Sequence, residues 1–195
     1  MINVGIIGFG YWGPNLVRNF LSIGICNVKM IAELNPERVE IIKKNYTNIS
    51  CVQDANELIN SNEIDAVIIA TNVYSHFPLA KKALLNGKHV LLEKPMTSTV
   101  AEAEELIELA HSKKLTLMVD HTFLYTGAVQ KMKTLILDGS IGNVKYIDST
   151  RINLGLLQSD VNVLWDLAPH DLAIMLYLYN GKPFSVNATG VSHTN

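Results

Sequence analysis

The sequence predicts an α/β fold, a parallel sheet with helices on both faces, followed by part of an α+β open-sheet unit. Three observations carry that expectation. The stretch Gly8-Phe9-Gly10-Tyr11-Trp12-Gly13 sits between an apolar, strand-like run and the start of a helical pattern. The run Asp65-Ala66-Val67-Ile68-Ile69-Ala70 is apolar after its first residue, as expected of a strand buried on both faces. Six strand patterns alternate with helical ones before residue 120, which requires right-handed crossovers and a parallel sheet.

Taken in order, Val4, Ile6 and Ile7 mark the first strand. A helix over 15–23 follows, with Leu16, Val17, Phe20 and Leu21 on one side and Gly24 as its stop. Residues 28–33 form the second strand. Asn35-Pro36-Glu37 opens a helix through Lys44, proline suiting a first turn. A short strand covers 49–52, and Asp54 caps a brief helix ending near Asn60. The apolar run at 65–70 is the fourth strand, and a helix over 75–86 is closed by Gly87. Residues 88–92 form the fifth strand, ending in Glu93-Lys94-Pro95. Ser98 or Thr99 then caps a helix through His111, with Ala101, Leu106, Ile107, Leu109 and Ala110 inward and Glu102, Glu104, Glu105 and Glu108 outward. Residues 115–119 complete the six.

From about Asp120 the rhythm changes. A helix is expected over 127–137, a turn at Gly139 and Gly142, and a strand over 143–153. A second helix over 164–179 and a strand over 183–193 follow. Two helices and two strands are little for an independent domain. The expected division is therefore a domain at 1–120 and a partial one at 121–195, which lacks its remainder or leans on a partner.

Bulk composition excludes several function classes. The 195 residues are 48% hydrophobic, enough for one sizeable core and a small second unit. Only 17% are charged and the net charge is −2, with no basic stripe, so neither nucleic acid nor an anionic membrane is an expected partner. No apolar run approaches the length of a spanning helix. Cys26 and Cys51 lie beside apolar strand residues at neither metal nor redox spacing and read as buried thiols. The six histidines show no metal-like clustering, so no metal is expected. Met1 runs straight into a strand, so the expectation is a cytoplasmic protein without a signal peptide, and the sequons at Asn45, Asn48 and Asn187 read as chance.

The glycines follow G-x-G-x-x-G at a strand-to-helix turn, where a helix N-terminus can receive a pyrophosphate. Gly8 would allow the tight turn, Gly10 the close approach of phosphates, and Gly13 the packing of helix on strand. Glycine turns are common, so the motif alone is weak. Glu33, 20 residues past Gly13 at the end of the second strand, strengthens it. A carboxylate there accepts from a ribose 2′-hydroxyl and repels a 2′-phosphate, which argues for NAD over NADP, although Arg38 is a cation close by. The Gly8 loop, Glu33, Thr71-Asn72 and Glu93-Lys94-Pro95 all fall at carboxyl ends of strands, where such sheets bind ligands. Tyr11 and Trp12 either cover the pyrophosphate or pack. The Lys94 ammonium either stabilises charge on a reacting oxygen or is solvated before a proline turn. Glu93 pairs with Lys94 or contacts the cofactor.

Asp166 and His170 are four apart and share one helix face. An imidazole titrates near neutrality and can take or return a hydroxyl proton. The alternative makes Asp166 an N-cap with Pro169 in the first helical turn and His170 a packed polar residue. Asp171 reads as structural or oxygen-pairing. His121 and Tyr125, past the sixth strand, face the expected cleft without an assigned role, and His89 and His111 read as surface or strand residues.

With these residues in hand, the chain resembles the Gfo/Idh/MocA family of nicotinamide-dependent sugar oxidoreductases. GFGYWG carries the resemblance, with Glu33 before Asn35-Pro36-Glu37-Arg38, Thr71-Asn72 with His76, GKHVLLEKP (Gly87 to Pro95) and WDLAPHD (Trp165 to Asp171). The Glu-Lys-Pro and Asp-x-x-x-His pairing is far more specific than the glycine loop. The resemblance extends over essentially the whole chain. It implies a Rossmann domain in which Gly8, Phe9, Gly10, Tyr11, Trp12, Gly13, Glu33, Thr71, Asn72, His76, Glu93 and Lys94 surround NAD(P), NAD before NADP. His76 would approach the nicotinamide side, with helix capping as its alternative. The resemblance further implies Lys94 as a catalytic or substrate-orienting lysine, His170 as general acid/base, Asp166 as substrate ligand or orienter, and Arg151 as a substrate contact.

The implied reaction is hydride transfer between nicotinamide and a hydroxyl or keto carbon of a sugar. The 151–170 region looks most like enzymes acting on nucleotide-linked sugars. A cofactor-loaded sensor or regulator on the same fold is the alternative. Family members are usually much longer, with an open sheet that binds substrate and often builds the oligomer. Most of that sheet is absent from this sequence, so a homo-oligomer is implied where the full second domain is present.

Overall fold

Consecutive apolar residues on neighbouring strands force a sheet covered on both faces. In the computed structural model, which describes residues 1–152, 161–179 and 181–191, that sheet belongs to a first unit of residues 1–120 and 161–166. Its elements are β1 (Ile2–Ile7), α1 (Gly13–Ile23), β2 (Cys26–Ala32), α2 (Pro36–Asn45), β3 (Ser50–Val52) and α3 (Ala55–Asn60). They continue through β4 (Ala66–Ile69), α4 (Val73–Leu85), β5 (His89–Leu92), α5 (Val100–Lys113) and β6 (Leu117–Val119). Every pairing is parallel, in the order β3-β2-β1-β4-β5-β6. The chain starts at the centre, winds outward through β2 and β3, then crosses to β4 on the other side of β1. The loops after β1 and β4 therefore leave in opposite directions and open a crevice at the carboxyl edge.

Alternation along the strands builds the two cores. Ile6 and Ile68 pack with Leu16, Val17, Val28, Ile31 and Ile42, while Ile7 and Ile69 pack with Leu58, Ile59, Leu84, Leu92 and Leu106. Helix ends are closed by their own sequence. The Asn35 side chain accepts from Glu37 and Arg38 N–H, that of Asp54 from Asn56 N–H, and Thr99 forms a reciprocal capping box with Glu102. Lys88 is buried, and its ammonium donates to Ser61 and Ile64 carbonyl oxygens, both at 2.7 Å, just past the end of α3. That placement satisfies a cation that would otherwise be costly inside.

The second unit holds described residues 121–152 and 167–191. A 3₁₀ turn at Thr122–Tyr125 precedes α6 (Gly127–Leu137). Helix α7 (Val163–Tyr179) starts in the first unit and continues in the second. Within the second unit the Lys133 ammonium donates to Tyr177 O at 2.6 Å and lies over the Tyr177 ring, joining α6 to α7. The expected strands at 143–153 and 183–193 are not formed in their described parts, 143–152 and 183–191. Alternation supplies only a face. A strand also needs a neighbour for its N–H and C=O groups, and neither segment has one among the described residues. Residues 153, 192 and 193 of those expected strands lie outside the described residues. Among the described residues no helix is long and apolar enough to cross a membrane.

Gly5 in β1 gives the core its tightest test. A Cβ built there would lie 2.6 Å from Leu58 Cδ2, and Leu58 is fully buried. Gly5→Val is expected to lower stability by on the order of 2 kcal/mol through overpacking. Leu58→Ala in the same chain should recover part of that loss, as read by urea denaturation.

Candidate functional site

The carboxyl edge of the sheet is assembled from short loops whose backbone groups are individually satisfied. Gly8 has φ +96°, and a Cβ there would come within 2.5 Å of Ala70 O, so no other residue fits between the ends of β2 and β4. Its N–H donates to Ala32 O at 2.9 Å. Gly13 opens α1 so close to the loop that a Cβ would stand 2.8 Å from Gly8 O. Gly10 differs from both. The nearest atom to a Cβ built on it is Arg38 Nη1 at 3.7 Å, which leaves room over the loop backbone.

Glu33 is buried beneath this loop, and both of its carboxylate oxygens accept from backbone N–H groups. Oε2 accepts from Phe9 at 2.6 Å and Oε1 from Asn35 at 2.8 Å. Arg38 Nη1 lies 4.0 Å from Oε2. The ring of Phe9 points into the core and meets Tyr46 edge-on at 6.1 Å between centroids, so this residue offers the loop only its backbone. Tyr11 and Trp12 are exposed at 79% and 50% and touch each other edge to face at 5.8 Å. An open floor at Gly10, a helix N-terminus behind it and a half-exposed guanidinium beside it are the groups a dinucleotide pyrophosphate needs, and the chain fits such a cofactor on that ground.

Past β4, Asn72 caps α4 by accepting from Ser75 N–H, and the Ser75 hydroxyl donates to Thr71 Oγ1 at 2.7 Å. His76, in the first turns of α4, is 1% exposed. Its Nδ1 lies 2.9 Å from Pro95 O and its Nε2 3.2 Å from Thr71 O. It caps no helix. It joins the loop after β4 to the loop after β5 and contacts the backbone directly after Lys94, at Pro95 O. The Lys94 ammonium in turn donates to Asp166 Oδ1 at 2.8 Å and to Asp166 O at 2.9 Å, both side chains being largely shielded from solvent.

Glu93 is strongly perturbed. Burial first, then the neighbouring carboxyl of Asp120, pushes its pKa up to about 7, against smaller opposing effects from Lys94. Its Oε2 accepts from Lys94 N–H at 3.2 Å. Asp120 was given no role by sequence reasoning. The available signal was that two neighbouring apolar strands, HVLL and LMV, each run directly into an acid.

In the second unit Arg151 donates through Nε and Nη2 to the two carboxylate oxygens of Asp171 at 2.7 and 2.9 Å. The guanidinium lies over the Phe123 ring at 4.7 Å, and Phe123 meets the His170 ring edge-on at 4.7 Å. Hydrogen bonding from Arg151 holds the Asp171 carboxyl below its ordinary range and raises the Arg151 value. Asp171 is thus paired with a guanidinium, a structural role, and Arg151, expected as a substrate contact, is engaged by that carboxylate inside its own unit. Phe123 was missed, because nothing in its spacing ties it to His170. His121 precedes the 3₁₀ turn and Tyr125 ends it with its side chain exposed. The N-cap alternative for Asp166 is overturned. Helix α7 begins earlier, and the Asn162 side chain accepts from Trp165 N–H at 3.1 Å.

Residues 2–121 match the model of an oxidoreductase family with an NAD-binding Rossmann fold, Gfo/Idh/MocA. UDP-N-acetylglucosamine 3-dehydrogenase of Acidithiobacillus ferrooxidans is 29% identical over 98% of this chain and 58% of its own length. The NADP(+)-dependent scyllo-inositol 2-dehydrogenase of Bacillus subtilis is 28% identical over 96% of this chain and 54% of its own. The structure of a Lactobacillus casei scyllo-inositol dehydrogenase with bound NAD(H) and scyllo-inositol superposes with a TM-score of 0.80 at 21% identity, a likeness of fold, over 92% of this chain and 56% of that one. The chain spans about half the length of the curated relatives it matches.

The Glu93 shift has a stability consequence. Above its ordinary pKa of 4.5 the unfolded chain releases this proton, while the folded chain keeps it until about 7. The folded state binds more protons across that window, so stability falls as pH rises through it and levels off above. The effect is on the order of 3 kcal/mol. Glu93→Gln should remove that part of the pH dependence, as measured by denaturant unfolding at a series of pH values.

Proposed function

This chain belongs to the Gfo/Idh/MocA oxidoreductase family, and we propose that it serves an NAD-dependent transfer of hydride to or from a hydroxyl-bearing carbon of a sugar or nucleotide-linked sugar. The observation that carries the reading is the Lys94–Asp166 contact, which fixes a cation at the carboxyl end of β5. When bound, the nicotinamide supplies the hydride acceptor or donor. The chain's own residues handle the oxygen and its proton. An ammonium carries three N–H donors. Two go to Asp166, and we assign the third to the reacting oxygen, where it stabilises the negative charge that develops as the hydroxyl proton leaves. Asp166 holds Lys94 in that orientation and is itself a candidate ligand for a neighbouring sugar hydroxyl. His170, one turn further along α7, is the assigned acceptor and donor of the proton. Its ring is held by Phe123 at one edge, which limits how it can turn.

For the cofactor, the pyrophosphate is assigned to the floor at Gly10 and the α1 N-terminus. Each Glu33 oxygen already accepts one backbone N–H, and a carboxylate oxygen can accept a second donor, so a ribose hydroxyl would join an existing network. The family description supports NAD, and the NADP(+) named for the Bacillus subtilis relative keeps Arg38 in view as a phosphate partner. The nucleotide-linked sugar is favoured by the name of the Acidithiobacillus relative.

Gly10→Val separates the cofactor site from the fold. Its Cβ meets only the far end of Arg38, so the melting temperature should hold, while NADH affinity, read by nicotinamide fluorescence, should fall at least about tenfold. Failure of the wild-type protein to bind NADH would sink the proposal. In a turnover assay over sugars and nucleotide-linked sugars, Lys94→Met should reduce kcat by about 10²–10³ and His170→Ala by about 10²–10⁴.

A further inference from the structure

The register of β5 and β6 pairs Leu91 with Met118 and Leu92 with Val119. The next step along both strands brings Glu93 beside Asp120. Both backbones are still held in the ladder there, Glu93 N–H donating to Ile69 O at 3.0 Å and Asp120 N–H to Leu92 O at 2.7 Å. Residues in register on parallel strands point to the same side of the sheet. Two partly buried carboxyl groups therefore stand side by side at the edge and hydrogen-bond to one another. A hydrogen bond between carboxyls needs a proton on one of them, and two adjacent carboxylates in a partly dry setting repel.

We propose that Asp120 is a positioning residue that couples through Glu93 to the charge of the nicotinamide, so that the pair holds one negative charge beside a neutral ring and two beside a cationic one. This rests on the cofactor reading above: with a ribose at Glu33, the pyrophosphate at Gly10 and the reacting oxygen at Lys94, the dinucleotide would cross the β1/β4 switch point with its nicotinamide toward β5 and β6. NADH carries a neutral ring and NAD+ a positive one. Loss of the shared proton strengthens attraction for the cationic ring and leaves the neutral one largely unaffected. The reciprocal follows by linkage, so binding of NAD+ expels part of a proton.

Lys94, from the same strand end, presents its N–H to Glu93 and commits its ammonium to Asp166 of α7. His76 of α4 lies between the carbonyl oxygens of Pro95 and Thr71. Asp120 and Lys94 are the charges that act on Glu93, and burial places the loss of the shared proton near neutrality. His121 follows Asp120 in the chain and is the titratable neighbour the test must separate.

The experiment measures dissociation constants of NAD+ and NADH, by isothermal titration and nicotinamide fluorescence, from about pH 6 to about pH 8.5. The protein is compared with Asp120→Asn, Glu93→Gln and His121→Gln. The ratio Kd(NAD+)/Kd(NADH) should fall about fivefold with rising pH in the wild type, the size expected of one added charge within several ångströms of the ring. It should be nearly flat in both Asp120→Asn and Glu93→Gln and still fall in His121→Gln. Circular dichroism checks that each variant is folded, and Glu93→Gln answers the question if Asp120→Asn does not fold. A flat ratio in the wild type overturns the proposal, as does a slope that survives either carboxyl substitution or disappears with His121→Gln. Binding of NADH with no pH-dependent discrimination leaves the cofactor reading standing and removes only the coupling. Binding of neither cofactor removes both.

Discussion

The carboxylate of Glu33 is the constraint from which the carboxyl edge takes its shape. One side chain at the end of β2 accepts from Phe9 in the loop after β1 and from Asn35 in the loop before α2. Without it two backbone N–H groups at a mostly buried position would lose their partners, at about 1–3 kcal/mol each. The Phe9 bond sets where the loop turns. Gly8 can then sit against Ala70 only without a Cβ, and Gly13 can start α1 only against Gly8 O. The glycines and the acid form one device. Glu33 is therefore structural before it is selective, and a loss of cofactor affinity on replacing it reports on the loop as much as on a ribose contact. Gly10, whose Cβ direction is open, isolates the cofactor contribution from the fold.

A second device repeats the logic on the other side of the switch point. His76 lies between two backbone carbonyls from different loops. A neutral imidazole donates to one of them and an imidazolium to both. In either form the ring is enclosed, so its influence on chemistry passes through the backbone next to Lys94. The lysine is then fixed at both ends, its main chain by His76 and Glu93 and its ammonium by Asp166. Long lysine side chains lose considerable rotamer freedom when ordered, and this pair of anchors offsets that loss before any ligand arrives.

Much of this was legible in the sequence for a physical reason. Strands buried on both faces read as unbroken apolar runs, and caps such as Asn35, Asp54 and Thr99 act on their own neighbours, so the Rossmann elements fall close to where periodicity puts them. The glycine motif, Glu33 and Lys94 were readable as residues at the carboxyl ends of strands because their spacing along the chain is fixed by the strand–loop–helix repeat, whereas Asp166 was singled out by the family resemblance. Partners distant in sequence were not readable. The Glu33–Phe9 bond, the His76 clamp and the Arg151–Asp171 ion pair depend on loops meeting in space. Arg151 is an example: its sequence position does not show that its fork geometry is matched by the Asp171 carboxylate. In their described parts the strands expected at 143–153 and 183–193 did not form, because alternation specifies a face but not a neighbour.

Helix α7 joins these two kinds of control. Its first turn gives Asp166 to Lys94 in the first unit, and its next turn carries His170, which is held within the second unit by Phe123, itself stacked under Arg151. The proposed oxygen-binding cation and the proposed proton carrier are therefore each fixed locally, by different contacts. Pro169 falls between Asp166 and His170 and has no N–H to give to the preceding turn, so helical hydrogen bonding is weakened at that point. The Lys94 ammonium on Asp166 O and Oδ1 and the Phe123 ring against His170 are the side-chain contacts on either side of that point.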